Sequence, residues 1–123
     1  MSMVHNSITA AGDWQYASTS DIADTNAVEC VAAKTGYRHR VMAIQANNTD
    51  TAVGTVVNIR SGTTVLASVF VGPFVAAAPG GEGIAVTYPM PLKGDVSGNI
   101  NVIAVTTSAQ LRVSVQGVTE KAS

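Results

Sequence analysis

"LRVSVQGV", residues 111–118, sets the reading of the whole chain. Leu111, Val113, Val115 and Gly117 alternate with Arg112, Ser114 and Gln116. Side chains of an extended chain point alternately to opposite faces, so this period of two is a strand with one buried and one wet face. Arg112 belongs on the wet face. The segment before it, "NINVIAVT" at 99–106, is β-branched and almost continuously apolar. That pattern suits a strand buried on both faces, with Asn99 and Asn101 at its wetter start. The short "SAQ" between the two is compatible with a hairpin.

The same reading extends upstream. "GTVVNIRSGTTVLASVFV" divides into strands at about 54–60 and 63–71. They are joined by "RSGT", where the glycine can take positive φ without steric cost. "RVMAIQAN" is a strand at about 40–46, closed by the turn formers "NNTDTAVG". Within these, Asn47-Asn48-Thr49 matches the glycosylation pattern but reads as a turn. "NAVECVAAK" (26–34) and "DWQYAS" (13–18) are further strands, the latter with Trp14 and Tyr16 on one face. "GIAVTYP" (83–89) is a strand ended by Pro89 and Pro91. The only helical option is a short turn near 20–25. Seven to eight short strands at spacings of about ten residues make an all-β chain, an antiparallel β-sandwich or jelly roll. Residues 1–12 have no periodicity and read as an N-terminal arm, leaving 13–123 as one β-sandwich domain. "PFVAAAPGGEG" (73–83) reads as an irregular loop or an arm reaching a neighbour.

Composition narrows the function. Of 123 residues, 46% are apolar and only 12% charged, about half the charge of an ordinary soluble domain. Such a surface is covered by small polar residues or by another protein, a first sign of an assembled protein. A net charge of −1 gives no footprint for nucleic acid or anionic membrane. No apolar run is long enough for a membrane span, and "MSMVHNSITAAGDW" lacks the features of a secretory leader. The single cysteine, Cys30, has no disulfide partner in the chain and reads as buried and inert.

Candidate chemistry is sparse. The densest ionisable cluster is "YRHR", 37–40. His39 as a general base would need an orienting carboxylate and a nucleophile, and no nucleophile, zinc or phosphate-loop motif accompanies it. The cluster therefore reads as the end of a strand, its arginines solvated or paired with a carboxylate. Asp21 and Asp24 offer too few oxygens for calcium and read as turn residues. Neither a catalytic set, a metal site nor a cofactor is expected. Trp14, Tyr16 and Tyr88 are candidates for stacking on a sugar or packing at a subunit contact.

The run "GYRHRVMAIQANNTDTAVGTVVNIRSGTTVL", the glycine-rich "PGGEGIAVTYPMPLKGD" and the closing "GNINVIAVTTSAQLRVSVQGVTE" together resemble the small β-sandwich structural proteins of tailed bacteriophages and prophages. Those chains start on a "G-x-R-x-R-V" strand, carry "S-G-T-T" and end on strands of this kind. Several are head decoration, or cement, proteins. The resemblance spans roughly residues 36–120. It implies a non-enzymatic virion protein, made in the host bacterial cytoplasm, that binds the major capsid protein on the outside of the head and bridges its subunits. It further implies a symmetric homo-oligomer, a dimer or trimer. Arg38, Arg40, Trp14 and Tyr88 are then the expected partner-binding residues. The alternative is a tail-fibre or baseplate domain that binds a host-surface glycan through its aromatic residues.

Overall fold

The computed structural model describes residues 12–74 and 82–122, and it is all-β among them. Eight strands form in chain order: β1 (Asp13–Ala17), β2 (Val28–Val31), β3 (Tyr37–Asn48), β4 (Thr55–Ser61), β5 (Thr64–Val71), β6 (Glu82–Val96), β7 (Ile100–Ala104) and β8 (Leu111–Lys121). They make two four-stranded antiparallel sheets, ordered β1-β8-β3-β6 and β2-β7-β4-β5. The first strand pairs with the eighth, the second with the seventh, the third with the sixth and the fourth with the fifth. This nesting is a long antiparallel ribbon folded over on itself, which decides between the expected alternatives in favour of the jelly roll.

Alternation builds the core. From β3 come Val41, Ile44 and Ala46; from β4, Val57 and Ile59; from β5, Val69 and Val71; from β7, Ile100, Val102 and Ala104; from β8, Leu111, Val113 and Val115. Each fully buried Val, Leu or Ile contributes about 1.5–3 kcal/mol of transfer free energy, so these inward rows hold the sheets together. Gly117 continues the inward row of β8 directly opposite Trp14 of β1. A Cβ there would collide with the indole ring and with the Arg40 carbonyl. The missing side chain is the slot that admits Trp14, an aromatic laid over a cross-strand glycine.

Four expectations are corrected. First, β7 and β8 do not form a hairpin. They lie in different sheets, and the chain crosses between them through residues 105–110, with Ser108 at φ 77°. Both are central strands with partners on either side, so neither has a free edge for the other. The hairpin that does form is β4–β5, turning at Gly62 with φ 58°. Second, β6 does not stop at Pro89. It runs to Val96, because it is an edge strand, where a missing N–H breaks no ladder. Between Ala43↔Thr87 and Val41↔Leu92, four residues of β6 (Tyr88–Pro91) face the single bulged Met42 of β3. Third, no helix forms near 20–25; that stretch is irregular and anchored by a bridge between Ile22 and Leu111. Fourth, Asn48 is not a turn residue but the buried end of β3. The expected arm at 1–12 falls almost wholly outside the described residues, as does most of the 73–83 loop.

Candidate binding surfaces

The "YRHR" segment splits by alternation. His39 points inward and is 2% exposed, against the expectation of a wet cluster. Its Nε2 lies 2.8 Å from the Ala32 carbonyl and its Nδ1 2.6 Å from Thr119 Oγ1. A carbonyl only accepts, so Nε2 carries the proton and the Thr119 hydroxyl donates to Nδ1. Trp14 meets the imidazole edge-on, ring centroids 6.1 Å apart. With both nitrogens engaged and neither in contact with a carboxylate, His39 is a structural histidine.

Arg38 and Arg40 point outward from β3. Arg40 pairs with Glu120 of β8 at 2.8 Å, and the Arg38 Nε donates to the Gly94 carbonyl at 3.0 Å. Lys93 sits opposite Arg40 on β6. The hydrogen bond from Arg40, reinforced by the charges of Arg38 and Lys93, holds the Glu120 carboxyl below its ordinary range. Asp13 and Val118 extend the Arg40 row to the sheet edge. One end of this outer face thus gathers three cations and two carboxylates.

The rest of that face is uncharged. One row reads Gln15, Gln116, Ala43, Thr87, and the next Ala17, Ser114, Gln45, Ala85. All of these but Ala17 line a shallow depression across the four strands. Only beyond it does charge return, where Arg112 pairs with Asp21 at 2.7 Å. Asp24 accepts from the Asn26 N–H, the turn role expected of it, whereas Asp21 is engaged by Arg112 instead. Among the described residues no three His, Cys, Asp or Glu side chains converge as a metal set would.

Trp14, Tyr16 and Tyr88 are each half-buried, and Trp14 and Tyr88 pack on the core. Burial raises the phenol of Tyr88, and of Tyr16 with the nearby Cys30 as a smaller cause. Of the rings that a glycan would need, those of Trp14 and Tyr88 pack against the core instead. Cys30 is pushed up to about 12 by burial, then by Glu29, which leaves it a thiol at any physiological pH.

The outer face of the second sheet differs again. Phe70, Val56 and Val105 form a row across β5, β4 and the end of β7, with Ile103 one row away. Phe70 is 61% exposed. The signal lies in "SVFV", since Val69 and Val71 inward forces Phe70 outward.

No known family profile matches this chain, and no curated protein does. Among solved structures, it is similar to a chain of the cyanophage Pam1 capsid asymmetric unit at 12% identity and a TM-score of 0.43, over 86% of this chain and 81% of that one. A chain from the virus-like particle of the extra small virus of the giant freshwater prawn Macrobrachium rosenbergii is similar at 11% identity and a TM-score of 0.39, over 88% and 79%. At these scores neither likeness decides what the chain does; what the coordinates establish is an eight-stranded jelly roll.

Proposed function

We propose that this chain is a non-enzymatic structural protein of a tailed-bacteriophage particle, bound to the outside of the head and bridging neighbouring capsid subunits. One observation carries this: the broad outer face of the β1-β8-β3-β6 sheet has an uncharged lawn of Gln, Ser, Thr and Ala between a cluster of three cations and two carboxylates at one end and the Arg112–Asp21 pair at the other. Jelly rolls serve as coat proteins, lectins and enzymes, so the fold alone does not choose between them. A catalytic jelly roll needs convergent acid, base or metal-ligating groups, whereas a flat amide-rich face suits protein against protein. The sequence resemblance to head decoration proteins points the same way. Arg38, Arg40 and Lys93 would meet an acidic capsid surface, setting orientation and on-rate more than raw affinity. A protein that binds only the assembled lattice stabilises it by mass action.

The test is quantitative mass spectrometry of purified particles from the source, counting this chain against the major capsid protein. The expected result is a simple fraction of the capsid protein count. A second measurement adds purified protein to heads lacking it: Arg38→Glu with Lys93→Glu should weaken binding about tenfold or more and flatten its salt dependence. A handful of copies per particle would transfer the chain to the tail, and absence from particles would end the proposal.

A further inference from the structure

The four edge strands are not protected alike. Exposed edges carry unpaired N–H and C=O groups and are ordinarily blunted by shortness, charge, proline or bulges. β1 has five residues and starts on Asp13. β2 has four, one of them Glu29, and a register shift. β6 carries Pro89, Pro91, Lys93 and a four-residue excursion. β5, Thr64–Val71, is different: eight residues, "TVLASVFV", with no charge and no proline. Its one register shift lies near its start, beside Val65, and Ala67–Val71 then pairs regularly with Thr55–Ile59. It is the last strand of its sheet, and among the described residues no main-chain bond is made on its outer side.

We propose that β5 is a pairing edge for a second copy of this chain, joined antiparallel about a twofold axis near Ser68 into a continuous eight-stranded sheet. Three features select a second copy as the occupant. A strand without charge sets no like charge against like when it meets itself. Antiparallel pairing of one strand with its own copy is the isologous contact that closes at two subunits, leaving no further β5 edge to propagate and only the short, bulged β2 at each end of the joined sheet. The outward apolar residues also sit on either side of that axis. Val65 is 51% and Phe70 61% exposed, one near each end, so the axis brings Phe70 of each copy to the Val65 end of the other. The Phe70-Val56-Val105 row then continues across the junction. A single strand pair buries less than the roughly 800 Å² per partner of a standard interface, so the dimer is weak in free solution and gains from anything that holds two copies side by side. The inference goes beyond the head-surface reading and does not depend on it.

Sedimentation velocity from about 5 µM to about 500 µM tests it, since weak pairs dissociate in that range. The intact chain should shift from monomer to dimer. Phe70→Lys and Val65→Lys, both surface changes, should raise the dissociation constant about tenfold or more with the melting temperature nearly unchanged. Glu29→Lys, an exposed position on β2 at the far edge of the same sheet, should leave it alone. Hydrogen exchange of the intact chain should show β5 amides gaining protection as concentration rises. A monomer throughout the range overturns the inference. So does a dimer that ignores Phe70→Lys, or one that leaves β5 exchange unchanged. Loss of pairing in a chain that still binds heads would overturn this inference and leave the head-surface reading standing.

Discussion

Asn48 does more for this fold than any charged residue. It is 1% exposed and satisfies all four of its side-chain bonds. Its amide donates to the carbonyls of Val53 and Gly72, and its oxygen accepts from the N–H groups of Asp50 and Gln110. Three loops meet on this one side chain. Replacing it with alanine strands two carbonyls and two N–H groups in the interior. Asn48→Ala should therefore cost about 2–4 kcal/mol, read as a lowered midpoint in urea unfolding with little change in slope. In sequence, Asn48 lies in a run of turn formers. Its polar type correctly signalled a hydrogen-bonding role, but nothing local says that the role is played inside. His39 is the same lesson: partners 7 and 80 residues away turn what reads as the wet end of a strand into a satisfied internal group.

At the scale of elements, period-two patterning located the strands well wherever one face is buried. β4 and β5 lie within a residue of where alternation puts them, and β8 starts at the expected Leu111 and runs three residues further, to Lys121. It failed where tertiary position decides. β6 tolerates two prolines because it is an edge, and edge status is a property of the sheet, not of the strand. The Arg40–Glu120 pair links β3 to β8 on the solvent side, and its pH behaviour has a definite sign. Because Glu120 is held below its ordinary value of 4.5, the pair's contribution is present above the unfolded pKa and lost as pH falls through the lower folded value. Exposure and screening keep that contribution under about 1 kcal/mol. Thermal melts of the intact chain and of Glu120→Gln should differ slightly at neutral pH and converge as pH drops below about 4.

For the whole molecule, the nested order makes nearly every pairing except β4–β5 non-local. The one hairpin can form early, and the others must wait for successively longer loops to close. Refolding followed by stopped-flow fluorescence of Trp14, which sits in the last pair to close, should be slow, on the order of milliseconds to seconds. A relaxation in microseconds would contradict this topology. The sequence carried the sheet class. It did not carry strand order, because an alternating strand reads alike whether its neighbour is the next segment or the far end of the chain. The amide-rich face was hidden for the same reason, since Gln15, Gln45 and Gln116 become neighbours only through register.

The pairing of β1 with β8 has a mechanical consequence. Asp13 lies opposite Val118, and Gly12 accepts from the Thr119 N–H, so the segments leading into β1 and out of β8 depart from the same end of one ladder. Tension applied between them would open that ladder one rung at a time, like a zipper, rather than load all its bonds together in shear. A pull on the segments flanking β1 and β8 meets little resistance. Load would have to enter broadside, through the flat faces, where the whole ladder is engaged at once.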